Sequence, residues 1–206
     1  MMDEQFFLDK ELGFACEGDD FVAAQNAIER GANVNALAGV FNRPLVVGPI
    51  AYENIDIFKL LLEKGLDVNI RWQPCMYTPL MVCVIARKYA KPTKEQKEMI
   101  EMLLDKGADI NATDHMGNTA LMWAFNYEQG DLAELLINRG ADVTKKGVNV
   151  NGEIVTALSI AQKNRMPHTM KAEALLKEKL KAIPVVSATP IVNVAEQKKA
   201  DRRIRG

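Results

Sequence analysis

The residues best able to do covalent or metal chemistry in this 206-residue chain are few: His115 and His168, Ser159 and Ser187, and the cysteines Cys16, Cys75 and Cys83. A serine nucleophile on a strand-to-helix elbow needs flanking glycines, and Ser159 lies instead in Ala157-Leu-Ser-Ile-Ala161. Gly147 and Gly152 have the separation of a phosphate-cradling loop, but Glu153 stands where that loop needs a lysine. Cys75 and Cys83 are separated by seven residues, and neither histidine lies at metal-ligand spacing from them. Asp19-Asp20 reads as a turn and helix start, and Cys83 as a small core residue. The expectation is a protein that is not an enzyme, with no catalytic, cofactor-binding or metal-binding residue.

Composition points the same way. There are 26 basic and 27 acidic side chains, a net charge of -1, and 48% apolar residues. That apolar content suits one domain or one repeat array with a tail, and the charge balance lacks the surplus of Lys and Arg that phosphate binding requires. Three cysteines do not build a disulfide framework and suit a reducing compartment, read as the cytoplasm. The acidic first twelve residues are the opposite of a signal peptide, and no run is long and apolar enough to span a membrane.

The elements that must position any site come from self-similarity. Gly31-Ala-Asn-Val-Asn35, Gly65-Leu-Asp-Val-Asn69, Gly107-Ala-Asp-Ile-Asn111 and Gly140-Ala-Asp-Val-Thr144 recur with glycine separations of 34, 42 and 33 residues. The last three glycines each close an amphipathic run, as in Ile57, Phe58, Leu61 and Leu62, with a basic residue immediately before the glycine. Downstream come Arg43-Pro-Leu-Val46, Thr78-Pro-Leu-Met81, Thr119-Ala-Leu-Met122 and Thr156-Ala-Leu-Ser159, where a capping residue and a first-turn Pro or Ala open a shorter helix. The unit is a finger, a short helix, a turn and a longer helix.

On these motifs the chain resembles the ankyrin-repeat family through most of residues 12–180. The resemblance implies an all-α solenoid of five helix-turn-helix repeats with finger loops. The array is expected over residues 1–182, with a polar terminal repeat, and residues 183–206 as a tail that is basic at its end. The family's His after Thr-Pro-Leu is replaced by Val46, Met81, Met122 and Ser159, which implies modest stability. Gly48-Pro49 inside a first helix predicts a kink or a late start. The excess of repeat 3, residues 87–97, predicts that both its helices lengthen and meet at a new turn opposite the fingers, with Thr93 and Gln96 as a capping box. Asn151-Gly152 predicts a hairpin over 148–155 as the one two-stranded ribbon.

The resemblance also implies a function: binding another protein on the concave face made by finger tips and first helices. Carried onto this sequence, that face comprises Phe41, Asn42, Trp72, Met76, Tyr77, His115, Met116, Asn118, Phe125 and Tyr127. Phe125 replaces a family alanine and either fills the groove or separates helices, while Trp123 is expected between repeats. Phe41 and Met76 occupy the place of a turn glycine. Two other readings stand beside this one. The chain could be an inhibitory or regulatory subunit using the long fourth finger as a plug, or an electrostatic adaptor contacting nucleic acid or itself through its basic tail. Residues 1–20 are net acidic and residues 171–206 net basic, so a monomer with weak head-to-tail association is expected.

Overall fold

The computed structural model describes residues 4–38, 43–164 and 167–183. Its helices form five antiparallel pairs: α1 (Glu4–Gly18) with α2 (Phe21–Glu29), α3 (Val47–Tyr52) with α4 (Ile55–Glu63), α5 (Pro79–Ile85) with α6 (Lys94–Asp105), α7 (Ala120–Asn126) with α8 (Gly130–Asn138), and α9 (Ala157–Asn164) with α10 (Met170–Ala182). The first helices stack in chain order from α1 to α9, and the second helices flank them. The apolar faces merge into one elongated core containing Leu12, Phe58, Leu80, Ile100, Leu121, Leu136 and Leu176. Because each pair buries its apolar face only by stacking on the next, the array is stable as a stack and not as separate units.

Local chemistry sets the helix limits. Asp20, Asn54, Thr78, Thr93 and Thr119 each accept a bond from the amide three residues on, satisfying a donor that the first turn leaves free. Gly31, Gly65, Gly107 and Gly140 follow the second helices at φ between 87° and 102°, a conformation glycine reaches without a Cβ penalty. The asparagine of each finger motif then ties neighbouring repeats. Asn35 Oδ1 accepts from Asp67 N at 2.7 Å, Asn69 Oδ1 from Asp109 N at 2.8 Å, and Asn111 Oδ1 from Asp142 N at 2.7 Å. Across the outer helices, Lys59 pairs with Glu98, Lys97 with Asp131, and Lys171 with Glu134.

Several expectations change in detail. Two ribbons are present, since β1 (Leu37–Ala38) pairs antiparallel with β2 (Arg43–Pro44), in addition to β3 (Lys146–Val148) with β4 (Ile154–Thr156). The turn of the longer hairpin is organised by Asn149, whose side-chain oxygen accepts from both Asn151 N and Glu153 N, and Gly152 supplies φ +81°. In repeat 3 only α6 lengthens. α5 ends at Ile85, because Gln96 does not close the box on Thr93 but buries its amide and donates to Cys83 O at 2.6 Å. The insert is fastened on both sides, Arg87 to Glu53 at 3.1 Å and Gln129 to Arg87 O at 2.7 Å.

The Gly48-Pro49 helix does start late: α3 begins three residues after Pro44, whereas α5 begins on the corresponding Pro79. Pro49 falls in the first turn, where no helical donor is required. Gly48 has a further reason that spacing did not disclose. A Cβ there would lie 2.9 Å from Cys16 O, so the glycine permits α1 and α3 to approach closely.

Candidate protein-binding face

The concave side is built by fingers that are hydrogen-bonded to one another. Trp72 N donates to Tyr77 O at 2.9 Å and closes the finger of repeat 3, whose tip residue Met76 takes φ +61°. Gly117 holds the same place in the next finger at φ +79°. Arg71 donates to Met76 O and to Thr113 O, and His115 reaches back to Cys75 O with its amide and with Nδ1. The hairpin joins from the other side: Val148 N donates to Met116 O at 2.9 Å, and Asn118 Nδ2 donates to Val148 O at 3.1 Å.

Along this ribbon runs a chain of aromatic rings. Tyr77 meets Trp123 edge-on at 5.9 Å, Trp123 stacks on Tyr127 at 5.4 Å and 15°, and Tyr127 meets Tyr89 edge-on at 5.4 Å. These are favoured geometries for ring quadrupoles. The line follows α7 from its finger end to the insert. Burial, then the nearby Cys75, Asp114 and Tyr127, push the Tyr77 hydroxyl up to about 12, and burial, then Tyr89, raise that of Tyr127. Both phenols are therefore neutral hydrogen-bonding groups near pH 7.

Beside this chain, between α7, α9 and the hairpin, is a groove of about 590 Å³. Met122, Trp123 and Ile160 supply apolar lining, and Asn126, Glu153 and Lys163 supply polar groups. Pocketed apolar surface with a few polar groups is the usual form of a recognition site.

Of the ten residues expected on this face, Phe41 and Asn42 lie outside the described residues. Trp72, Met76, Tyr77, Met116 and Tyr127 are half-buried, and His115 is exposed. Two placements are corrected. Phe125 is 0% exposed, because its ring points into the stack of first helices, where it occupies core volume. Asn118 is buried: its backbone N donates to the Asp114 carboxylate and its side-chain Nδ2 to Val148 O of the hairpin, where a Cβ on Gly147 would overlap its amide. Trp123, expected between repeats, does pack on Tyr77 of repeat 3 but is also the half-buried centre of the ring chain, and Tyr89, which is not among the ten, closes it from the insert. A four-residue spacing from Trp123 to Tyr127, one turn of α7, was the available signal for the first.

Of the residues searched for chemistry, Ser187 lies outside the described residues, while Ser159, Cys16 and Cys83 are engaged structurally. Ser159 Oγ donates to Thr156 O at 3.0 Å, and Ser159 N donates to Thr156 Oγ1 at 3.2 Å, which caps α9. Burial pushes the Cys16 thiol up to about 12 and also raises that of Cys83, so both remain thiols. No helix among the described residues is long and apolar enough to cross a membrane.

Paired helices, glycine-closed ends and bonded fingers over a concave face define a helical-repeat solenoid. Residues 46–147 match the family described as Ankyrin repeats (3 copies), and the chain belongs to the ankyrin-repeat family. It is similar to an ankyrin repeat protein of Rickettsia felis, 30% identical over 111 residues that make up 54% of this chain and 48% of that protein. It is also similar to the Ankyrin repeat and SOCS box protein 6 of Homo sapiens, 32% identical over 108 residues, 52% of this chain and 24% of the relative. The chain thus spans about half and about a quarter of the lengths of these relatives. Arrays of this family are in general protein–protein interaction modules.

Proposed function

We propose that this chain is a non-enzymatic module that binds a partner protein on its concave face, through the line from Trp72 and Tyr77 to Trp123, Tyr127 and Tyr89 and the adjoining groove. The observation that carries this reading is the continuous ring chain, because partly exposed aromatics in a row cost little entropy to order and dominate interface energetics. The array occupies residues 1–182 in this reading and works in the cytoplasm.

The test is capture of a partner from native lysate by the wild type and by Trp72→Ala/Tyr127→Ala, with the melting transition followed in parallel. Capture should be lost in the double variant, since such anchors commonly contribute about 2 kcal/mol or more each, while the melt changes little. Phe125→Ala is the contrasting control and should unfold the array, by about 3 to 5 kcal/mol. Retained capture by the folded double variant would place the site elsewhere.

A second reading has an observation of its own. Val150 and Ile154 on the hairpin are 91% and 73% exposed, which suits a finger that inserts into a cleft of an enzyme or toxin and inhibits it. Val150→Asp/Ile154→Asp should then abolish capture while Trp72→Ala/Tyr127→Ala does not.

A further inference from the structure

The two ends of the stack differ in chemistry. In repeats 1, 2 and 4 the turn between the paired helices contains a left-handed residue: Asp19 at φ 59°, Glu53 at 57° and Glu128 at 61°. Counting back five residues gives Phe14, Gly48 and Trp123. The second and third of these face the preceding repeat, Gly48 against Cys16 and Trp123 against Tyr77. Phe14 has the same orientation in repeat 1, where no described element precedes it, and it is 73% exposed. Phe7, two helical turns earlier on α1, is exposed with it. So is Phe21, whose counterparts two residues after the turn are Ile55, packed on the core, and Gly130, buried. Repeat 1 thus exposes at this position a side chain whose counterparts are buried in repeat 2 and half-buried in repeat 4.

The other end is basic. Three residues before their closing glycines, α2, α4, α6 and α8 carry Ile28, Leu62, Leu104 and Ile137, all buried or packed against the core. In α10, Leu175-Leu176 match Leu135-Leu136 in sequence and burial, and the next position, that of Ile137, is Lys177. Around it are Lys171, Lys179 and Lys181, against Glu173 and Glu178. Residues 4–35, by contrast, hold seven carboxylates (Glu4, Asp9, Glu11, Glu17, Asp19, Asp20, Glu29) and two cations (Lys10, Arg30).

We propose that the face formed by α1 and α2 is a docking surface for the α9–α10 face of a second copy of this chain, so that copies stack head to tail as successive repeats do. The occupant is identified by continuity with the stacking inside the array and by complementary charge. Lysine stems lie well on aromatic surface with the ammonium at a ring face or an acidic rim, as Lys10 Nζ does 4.5 Å over the Phe6 ring. Such a contact is heterologous, so it propagates to longer assemblies with concentration. Phe14 holds the position of Trp123, so the contact adjoins the face proposed above, and its test reads self-association and not partner capture.

Sedimentation of the 206-residue chain tests this with two variants, Phe14→Asp and Lys177→Glu, each altering an exposed side chain and each checked for an unchanged circular dichroism spectrum. The wild type should show an average mass that rises with concentration and falls with salt. Each variant alone should associate about tenfold or more weakly. An equimolar mixture should regain a one-to-one dimer, because the intact basic end of Phe14→Asp meets the intact aromatic end of Lys177→Glu. A wild type that stays monomeric at every concentration overturns the proposal. So does association unaffected by Lys177→Glu, which would mean that two aromatic ends pair symmetrically, and so does a mixture that recovers nothing.

Discussion

Trp123 donates its indole N–H to Asp114 Oδ2 at 3.0 Å, while Asp114 Oδ1 accepts from Met116 N at 2.8 Å and Asn118 N at 2.9 Å. One buried carboxylate thus shapes the fourth repeat's finger and orients the central ring of the proposed binding face. Asp114→Ala leaves three donors without this acceptor and should cost about 3 kcal/mol, at roughly 1 kcal/mol for each bond, read from urea unfolding. Asp114→Asn, which retains an oxygen toward the finger amides, should lose less.

Met76 holds a left-handed conformation that the corresponding Gly117 adopts freely. An L side chain there costs about 1 kcal/mol. Met76→Gly should raise stability by about that amount in thermal melts and weaken partner capture, because the strained side chain sits at the tip of the finger of repeat 3. A variant that gains stability and binds as well as wild type would remove Met76 from the face.

Gly48→Ala tests the close approach of α1 and α3. Alanine is the better helix former by about 1 kcal/mol. The added Cβ, however, meets backbone atoms of Cys16 at 2.9 and 3.1 Å, which cannot rotate away. The expected net effect is destabilisation by about 2 kcal/mol in urea unfolding. A stabilised variant would show that the contact relaxes easily.

Asn69 both accepts from Asp109 N and donates to Gly107 O, across the boundary between repeats 2 and 3. Asn69→Ala should cost about 2 kcal/mol and should also broaden the denaturation transition, since stability in a stack is a sum of repeat and interface contributions. Hydrogen exchange would show residues 4–63 opening apart from residues 79–138.

Two carboxylates make stability depend on acid. The hydrogen bond from Lys97 holds Asp131 below the usual carboxylate range, and those from the Thr144 hydroxyl and amide do the same for Asp142, in each case against some desolvation. A lowered folded value means stabilisation that is complete above the unfolded value of about 4 and is lost as the pH falls further. Both groups are largely solvated, so the effect is small. Asp131→Asn/Asp142→Asn should flatten the decline in the urea midpoint between pH 5 and about pH 3 relative to wild type.

Signals that act within one or two turns were legible in the amino-acid order. The Gly-x-Asp-Val-Asn repeats, the capping Thr78, Thr93 and Thr119, and the closing glycines each depend on residues a few positions away, and they define the number, order and direction of the helices. The late start of α3 was legible for the same reason, as proline geometry is local.

What only the tertiary structure decided concerns residues a whole repeat apart. Phe125 and Trp123 are two positions apart on one helix with similar apolar bulk, yet one is core and the other is half-buried in the ring chain of the proposed binding face. The difference comes from which side α7 turns toward α5 and α9. Gly48 is required by Cys16, 32 positions away, and Tyr89 joins Tyr127 from an insert with no counterpart in the other repeats. Side-chain burial in a solenoid is set by the neighbouring repeat's surface, and a pattern read along one repeat contains no term for it.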